Sequence, residues 1–266
     1  SDDNGLPDRA QKPLPVVFET ISNNIITWLD ASSTENVEIV TNNGTAYVKT
    51  LYDLSGHNNN FNWPGYHNFS YNPEYVYNIA GTANAARFSG NDKLYRHRLS
   101  QGDILQPFTI FFAMRAEANG YIFNVERRAL TNGGDNSVTL YKESDGLKMY
   151  AGNNLSGGTG QINPTSFFVL SAEYNEGNSK MFINGNDSAV GDTGSWGMDA
   201  DANDDFIQFG GSSPDLPYND SFTGYLGEAL IVQGEIVESV RKGIEDYFSS
   251  KWEFSLVVDN DKDGVP

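Results

Sequence analysis

The chain has 266 residues, 35 of them acidic and 17 basic, and its formal net charge of −18 argues against binding to nucleic acids or anionic membranes. It contains no cysteine, which excludes a disulfide scaffold, and no apolar run reaches the ~18 residues that a membrane-spanning helix needs. The acidic surplus suits calcium, which prefers carboxylate and carbonyl oxygen, although solubility in a salty environment would also explain it.

The two ends of the chain carry the same acidic pattern. Residues 1–8 alternate acidic or amide side chains with glycine and proline, and Asp259, Asp261 and Asp263 stand at alternate positions before Gly264. Alternating oxygen ligands and a glycine for a sharp turn are typical of calcium loops. A disordered acidic tail is the alternative.

Residues 9–20 are predicted to form a linker and a lead-in strand, and a strand-rich region follows. The strands are indicated by β-branched and aromatic runs bounded by turn residues. Asp145-Gly146 and Asn184-Gly185 are strong hairpin signals. The pattern predicts an all-β fold of antiparallel strands in two sheets. The predicted strands are 24–32, 108–115, 120–125, 138–141, 147–150, 167–174, 180–184, 206–210 and 222–232.

One amphipathic helix is predicted near the C-terminus, over residues 236–252. Its apolar residues recur at three- and four-residue spacing. They are Val237, Val240, Ile244, Tyr247 and Phe248, and the opposite face is predicted to hold Glu238, Arg241, Lys242, Glu245 and Asp246. Valine at position 237 cannot cap the first turn, so either Glu235 or the Gly234 backbone is expected to compensate, or the first turn is expected to be frayed.

Five short motifs occur in a fixed order along residues 24–254. They are W-L-D-A-S at 28–32, D-L-S-G-x-x-N-N at 53–60, R-F-x-G-x-D-x-L at 87–94, G-x-x-G-E at 224–228 and K-W at 251–252. The ordered set resembles the bacterial laminin-G-like domains of the concanavalin A-like lectin and glucanase class. The resemblance implies a two-sheet jelly-roll sandwich closed by a C-terminal helix. Ser89 stands where family members often have aspartate, which puts a metal site at that carboxylate in doubt.

The resemblance also divides the chain. Residues 21–256 are identified as the laminin-G-like domain. Residues 1–20, with their linker, and residues 257–266 resemble partial thrombospondin type 3-like calcium repeats. Such repeats imply a long, modular, secreted or cell-surface bacterial protein in which this domain is one monomeric module.

An internal acidic cluster is the first candidate metal site. Asp199, Asp201, Asn203 and Asp205 place oxygen donors at alternate positions and could wrap one calcium ion. A solvated acidic loop is the alternative, because Asp204 stands where a calcium loop usually has glycine. Asp30, Asp53, Asn58 and Asn60 form a second polar set, predicted either to organise one rim of the domain or only to satisfy backbone groups in tight turns.

Aromatic side chains mark the candidate ligand site. Aromatic rings stack on the C–H faces of sugars and neighbouring amides bind hydroxyls, but aromatics also simply cover a sheet edge. The first loop, 61–71, contributes Trp63, Tyr66, His67 and Tyr71, and a second loop contributes Tyr218 and Asn219.

Catalytic motifs are weak. Retaining glucanases of this architecture carry E-x-D-x-x-E on one strand, and the nearest match, Glu143 to Lys148, has lysine in the last position and falls on a predicted hairpin turn. The histidines His57, His67 and His97 show no catalytic spacing. The sequence therefore predicts a non-catalytic, calcium-dependent or calcium-stabilised carbohydrate-binding module. A spacer or protein-binding adhesion module is the alternative, and a divergent polysaccharide hydrolase or lyase is the third reading.

Overall fold

The structure, a computed structural model, describes residues 14–62, 71–81, 83–97, 99–102, 104–126, 138–197, 206–211 and 220–252. Within these residues the chain forms short helix α1, Val16–Glu19, longer helix α2, Glu238–Lys251, and seventeen strands. The strands are Ile25–Asp30 (β1), Val37–Asn42 (β2), Thr45–Leu51 (β3), Phe61–Asn62 (β4), Glu74–Ala80 (β5), Ala83–Ser89 (β6), Leu94–Arg96 (β7), Phe108–Ala118 (β8), Gly120–Glu126 (β9), Val138–Glu143 (β10), Gly146–Tyr150 (β11), Asn154–Gly157 (β12), Phe168–Tyr174 (β13), Ser179–Ile183 (β14), Asn186–Gly191 (β15), Phe206–Phe209 (β16) and Thr223–Gln233 (β17).

The strands join into one continuous hydrogen-bonded ladder. One part runs β15-β14-β13-β8-β17, and β17 continues on its other edge to β1 and β6. The other part runs β4-β7-β16-β9-β10-β11-β12. Strand β3 connects the two parts through β4 and β5, and β12 contacts β15 where the ladder ends. The all-β antiparallel prediction is confirmed, but the ladder is nearly closed and barrel-like, so two separate sheets are not confirmed.

The main core lies between the two parts of this ladder. Phe112 of β8 packs within 6.4 Å of Phe123 of β9 and within 5.9 Å of Phe209 of β16, centroid to centroid, which fixes β8 opposite β9 and β16. The next residue along β8, Phe111, points to the other side because side chains alternate along a strand. It belongs to a second apolar cluster that α2 covers with residues such as Phe248. Strand β8 is therefore buried on both faces.

The final-strand and helix motifs hold a buried polar cluster together. The carboxylate of Glu228 accepts hydrogen bonds from Trp28 Nε1 at 2.7 Å and Trp252 Nε1 at 3.2 Å. Lys251 Nζ lies 2.6 Å from Glu228 and 2.8 Å from the Asp30 carboxylate. A buried carboxylate is tolerated only when it is paired and hydrogen-bonded. The motif residues therefore tie β1, β17 and α2 into one unit.

Helix α2 differs from the prediction in which residues it buries. Val237 lies just before the helix, has no side-chain cap and is 65% exposed, so it does not belong to the packed face. Arg241 and Glu245, predicted to face solvent, are buried: they form an ion pair of 2.6 Å, and Ser171 donates a 2.6 Å hydrogen bond to Glu245. The Glu235 side chain was one of the alternatives predicted to compensate for the missing cap of α2. It instead accepts a hydrogen bond from Asn175.

The predicted lead-in strand is also wrong. Its described residues form the helical turn α1, which buries Phe18 against Trp28 and Tyr247 at centroid distances of 5.2 and 5.1 Å. Among the described residues, no helix is both long enough and apolar enough to span a membrane.

Candidate functional site

Seven strands present a row of polar and aromatic side chains on the face that points away from the core. Directly opposed residues share a face of a sheet, and their neighbours in sequence point to the other face. In β16, Gln208 lies between the core residues Ile207 and Phe209, so its side chain points away from the core. In β10, Thr139 lies in the same way between the core residues Val138 and Leu140. The opposed residues form what we call the polar row: Asn62, Tyr95, Gln208, Asn124, Thr139, Tyr150 and Asn154.

The middle of the polar row is buried and internally hydrogen-bonded. Thr139 Oγ1 donates to Asn124 Oδ1 at 2.9 Å, and Gln208 Nε2 donates to the Gly211 carbonyl at 2.8 Å. Polar groups out of contact with water need such partners, because a lost hydrogen bond there costs about 1–3 kcal/mol. These bonds hold the buried side chains in the middle of the row in place. Side chains that a ligand could reach therefore lie toward the two ends of the row.

One end of the row opens into a cleft of about 430 Å³, here the tyrosine cleft. Two T-shaped aromatic pairs brace it: Tyr121 against Tyr141 at 4.9 Å, and Tyr150 against Trp196 at 5.5 Å. In an edge-to-face pair the partner's edge fixes the ring while leaving one of its faces available. The lining residues are Tyr121, Thr139, Tyr141, Glu143, Lys148, Tyr150 and Asn154.

The charged groups of the tyrosine cleft are paired with each other. Lys148 Nζ lies 2.5 Å from Glu143 Oε2, and Lys148 stands directly opposite Tyr141 in the β10–β11 hairpin. Cation and anion therefore cancel within the lining, and hydroxyls, an amide and ring faces remain as its binding groups. Aromatic rings beside a few placed polar groups are features that this cleft shares with small-molecule sites.

The other end of the row opens into a cleft of about 310 Å³, here the histidine cleft. It is lined by Asn62, Tyr95, Arg96 and His97, and the Tyr95 and His97 rings form another T-shaped pair at 5.0 Å. Arg96 Nη1 donates to the Asn58 carbonyl at 2.8 Å, and burial lowers the pKa of its guanidinium. Like the tyrosine cleft, the histidine cleft has a tyrosine ring and an amide, but it adds an imidazole and a guanidinium.

Most residues predicted to bind ligand or metal lie outside the described part of the chain. Tyr71 is described: its carbonyl accepts a hydrogen bond from Lys93 N at 3.0 Å, and it is not among the residues lining either cleft. Of the same aromatic loop, Phe61 is a core residue packed on Phe209 at 4.7 Å, whereas Asn62 reaches the histidine cleft. The residues outside the described ranges are Trp63, Tyr66, His67, Tyr218, Asn219, Asp199, Asp201, Asn203, Asp205, Asp259, Asp261 and Asp263.

Asp53 satisfies backbone groups in a tight turn, which was one of the two alternatives predicted for it from the sequence. The Asp53 carboxylate accepts hydrogen bonds from Thr27 Oγ1, Trp28 N, Ser55 and Asn59 N, all between 2.8 and 3.1 Å. Both carboxylate oxygens are thus engaged by protein donors. This aspartate fixes a turn against β1, as expected for short polar side chains in tight turns.

Two further site predictions can be compared with the structure. Glu143 ends β10 and Gly146 begins β11, so the weak glucanase-like match lies on a hairpin turn, as predicted. Its lysine is the Lys148 that pairs with Glu143. Among the described residues there is no group of three or more histidine, aspartate or glutamate side chains placed to hold a metal ion.

Sequence reasoning missed the tyrosine cleft, although its signal was present. Thr139, Tyr141 and Glu143 alternate with buried Val138, Leu140 and Lys142 along β10, and Lys148 and Tyr150 alternate with Leu147 and Met149 along β11. Tyrosines at the solvent-side positions of two strands joined by a predicted hairpin indicate an aromatic surface. These residues alternate with core residues and do not form a contiguous sequence motif, so motif-based prediction does not detect them.

Comparison with known proteins places the fold. No family model and no curated protein matches the chain. Similar solved structures include domain 4 of AbnA, an extracellular arabinanase from Geobacillus stearothermophilus, in complex with arabinotriose: 14% identity, TM-score 0.55, 84% of this chain and 98% of that one. An arabinofuranosidase complexed with arabinofuranosyl-α-1,2-xylobiose gives 12% identity and a TM-score of 0.60 over 89% of this chain. The ligand-binding domain of botulinum neurotoxin serotype D, in complex with N-acetylneuraminic acid, gives 13% identity and a TM-score of 0.55 over 87% of this chain.

These similarities concern the fold. The chain spans 64% of the arabinofuranosidase and 52% of the neurotoxin domain. The neighbours include both glycoside hydrolases and sugar-binding domains, so the same architecture carries both activities.

Proposed function

We propose that this domain is a non-catalytic carbohydrate-binding module and that the tyrosine cleft is its glycan site. The observation that carries the proposal is the cleft itself: braced tyrosine rings beside hydroxyl and amide groups on a rigid strand floor. Sugars present apolar C–H faces and many hydroxyls, and this lining offers a partner for each. Structural neighbours solved with arabinotriose and with N-acetylneuraminic acid support the proposal.

The non-catalytic part of the proposal rests on the carboxylate in the cleft lining. Glycosidases of the common mechanism use two carboxyl groups flanking the scissile bond. Among the described residues that line the cleft, Glu143 is the one carboxylate, and it is paired with Lys148 at 2.5 Å, so this part of the lining does not supply the second carboxyl group. Release of reducing sugar from the polysaccharides tested below would overturn this part of the proposal.

The test is retention on immobilised polysaccharides, followed by titration calorimetry. Arabinan, arabinoxylan, laminarin and alginate form the panel, with sialyllactose as a short acidic ligand. Binding is expected to fall at least about tenfold in Tyr141→Ala and in Tyr150→Ala, because aromatic contacts supply much of the energy of such sites. Tyr77→Ala is the matched control, since Tyr77 is 52% exposed and lines neither cleft. Equal loss in Tyr77→Ala, or no binding to any panel member, would refute the proposal.

Calcium dependence is a separate part of the proposal, supported by the sequence at 199–205 and 259–263. We propose that calcium stabilises the domain, which would belong to a secreted or cell-surface modular protein with the laminin-G-like jelly-roll architecture. A site with free calcium at about 100 times its dissociation constant adds roughly 2.7 kcal/mol of stability. A melt in EDTA and then in millimolar calcium tests this, and the shift should be lost in the Asp201→Ala, Asp205→Ala double variant. An unchanged melting temperature would refute it.

A spacer or adhesion module without a sugar site is the second candidate. The buried motif cluster around Glu228 and Lys251 favours it, because those motif residues all serve stability. The polysaccharide panel separates the two functions: a spacer binds none of its members.

A further inference from the structure

We infer that the histidine cleft is a second subsite of the same binding face, and that the ligand is an internal stretch of an extended polysaccharide rather than a single sugar or a chain end. This inference rests on the proposed function and adds to it the class of ligand and a second site. The clefts are linked through the polar row, since Asn62 and Tyr95 stand at one end of it and Tyr150 and Asn154 at the other.

Strand register places both clefts on one side of the molecule. Tyr95 opposes Gln208, Gln208 opposes Asn124, and the pairing continues through Thr139 to Tyr150 without a change of face. Neighbouring strands lie about 4.8 Å apart, so the four steps from β7 to β11 put the two tyrosine positions up to roughly 19 Å apart, measured along the curved sheet. A monosaccharide is too short for that separation, whereas an extended oligosaccharide running across the strands can reach both positions.

The buried middle of the row explains why there are two clefts instead of one groove. Asn124 and Gln208 are 3% and 0% exposed, so they separate the open regions that flank them. A short ligand therefore occupies one cleft at a time. A longer chain bound in the tyrosine cleft presents its remaining sugars to the histidine cleft at high effective concentration, which raises affinity without any new contact in the first cleft.

Each cleft has what a separate subsite needs. In the histidine cleft, Asn62 and His97 are exposed, and the ring of His97 meets Tyr95 edge to face. The exposed amide and imidazole can bind hydroxyls and a sugar ring without help from the tyrosine cleft, and the buried Tyr95 ring supports the imidazole from below. The larger volume of the tyrosine cleft, about 430 against 310 Å³, makes it the primary subsite.

Affinity measured against ligand length tests the inference. Any panel polysaccharide that the domain retains (arabinan, arabinoxylan, laminarin or alginate) is partially hydrolysed and sized into fractions of two to about ten sugars, and each fraction is titrated by calorimetry. The affinity of the unaltered domain should rise by roughly a hundredfold once the ligand is long enough to reach both clefts, and then level off.

Variants identify the second cleft as the source of that rise. The Asn62→Ala, His97→Ala double variant should bind short fractions as the unaltered domain does but lose the gain with length. Both residues are exposed, so the fold should tolerate their loss, and the melting temperature checks this. His57→Ala, an exposed histidine outside both clefts, is the matched control and should keep the gain.

The two proposals fail in different ways. Affinity that does not depend on length, or a double variant that keeps the gain, overturns the two-subsite inference and leaves the tyrosine cleft as a glycan site. Absence of binding to every panel polysaccharide overturns the proposed function and this inference with it. Loss of short-ligand binding in the double variant, with the fold intact, would instead make the histidine cleft the primary site and overturn the assignment of subsites.

Discussion

The buried cluster around Glu228 yields a quantitative test of what the motif residues do. Lys251 is the cation between two carboxylates, Glu228 and Asp30. Burial raises the pKa of Glu228. Burial also acts to lower the pKa of Lys251, but the two carboxylates outweigh it and leave that pKa raised. The raised pKa of Glu228 and the raised pKa of Lys251 have one meaning: Glu228 needs a nearby cation to stay ionised, and the two carboxylates stabilise the charged form of Lys251.

Replacing Lys251 by methionine should therefore be strongly destabilising. Removing one member of a buried pair leaves an uncompensated charge and costs about 3–5 kcal/mol. Each kcal/mol shifts the melting temperature by about 2–4 °C in domains approaching this size, so the fall should be roughly 6–20 °C. Urea denaturation followed by tryptophan fluorescence measures the free energy directly, because Trp28 and Trp252 both touch the cluster.

The same helix supplies the control. Lys242 pairs with Glu238 one turn apart at 2.7 Å, but both side chains are more than half exposed. Such pairs contribute only about 0.3–0.5 kcal/mol, so Lys242→Met should change stability little. In a Glu228→Gln background the cost of Lys251→Met should shrink, since the neutralised partner no longer needs a cation. Equal costs for the two lysine variants, or an unchanged cost in that background, would refute the reasoning.

Three further predictions concern packing, pH and ionic strength. Gly227→Ala should destabilise the domain by about 1–3 kcal/mol in a denaturant titration, because a Cβ there would overlap the Trp252 ring. Burial raises the pKa of Asp92 to about 6, so its contribution to stability is present below about pH 4 and lost as pH rises through 6. Asp92→Asn should therefore be more stable than the unaltered protein at pH 8, by up to about 3 kcal/mol, and the difference should vanish at pH 4 in paired titrations. Binding of a short uncharged oligosaccharide in the tyrosine cleft should vary less than about twofold between 0.05 and 0.5 M NaCl, because such a ligand brings no charge and Lys148 and Glu143 pair with each other; a steep salt dependence would contradict binding through hydroxyl, amide and ring contacts.

The parts of the fold that sequence predicted well are those with local signals. The Asn184-Gly185 turn joins β14 to β15, and both of its residues adopt a positive φ that asparagine and glycine tolerate at little cost. The hairpin predicted from Asp145-Gly146 does join β10 to β11, but its turn residues are Ser144 and Asp145: Ser144 has the positive φ, and Gly146 already begins β11. The helix was predicted from its apolar spacing. Its burial of Arg241 and Glu245 was not, since that depends on Ser171 from a strand more than 70 residues away.

The candidate site was harder to predict for a related reason. Thr139 and Tyr150 belong to one hairpin, but Tyr95 comes from another part of the chain and joins them only through strand register. The hairpin carries most of the tyrosine cleft, but as alternating residues that form no contiguous motif. Loops rich in aromatic or acidic residues draw attention because their signal is contiguous, as in 61–71, but the one such tyrosine that is described, Tyr71, lines neither cleft.

Strand alternation explains how recognisable motifs and a candidate site can occupy the same fold without overlapping. Glu228 and Asp53 are buried and Lys251 is partly buried; Glu228 and Lys251 join β17 and α2 to β1, and Asp53 fixes its own loop against β1. On the core-distal face of β9–β12, Tyr141 and Tyr150 are only partly buried, unlike Asn124 and Thr139 in the hydrogen-bonded middle of the polar row. The partly buried positions can change at less cost to the fold, so under the proposed function two proteins that share these motifs could bind different glycans.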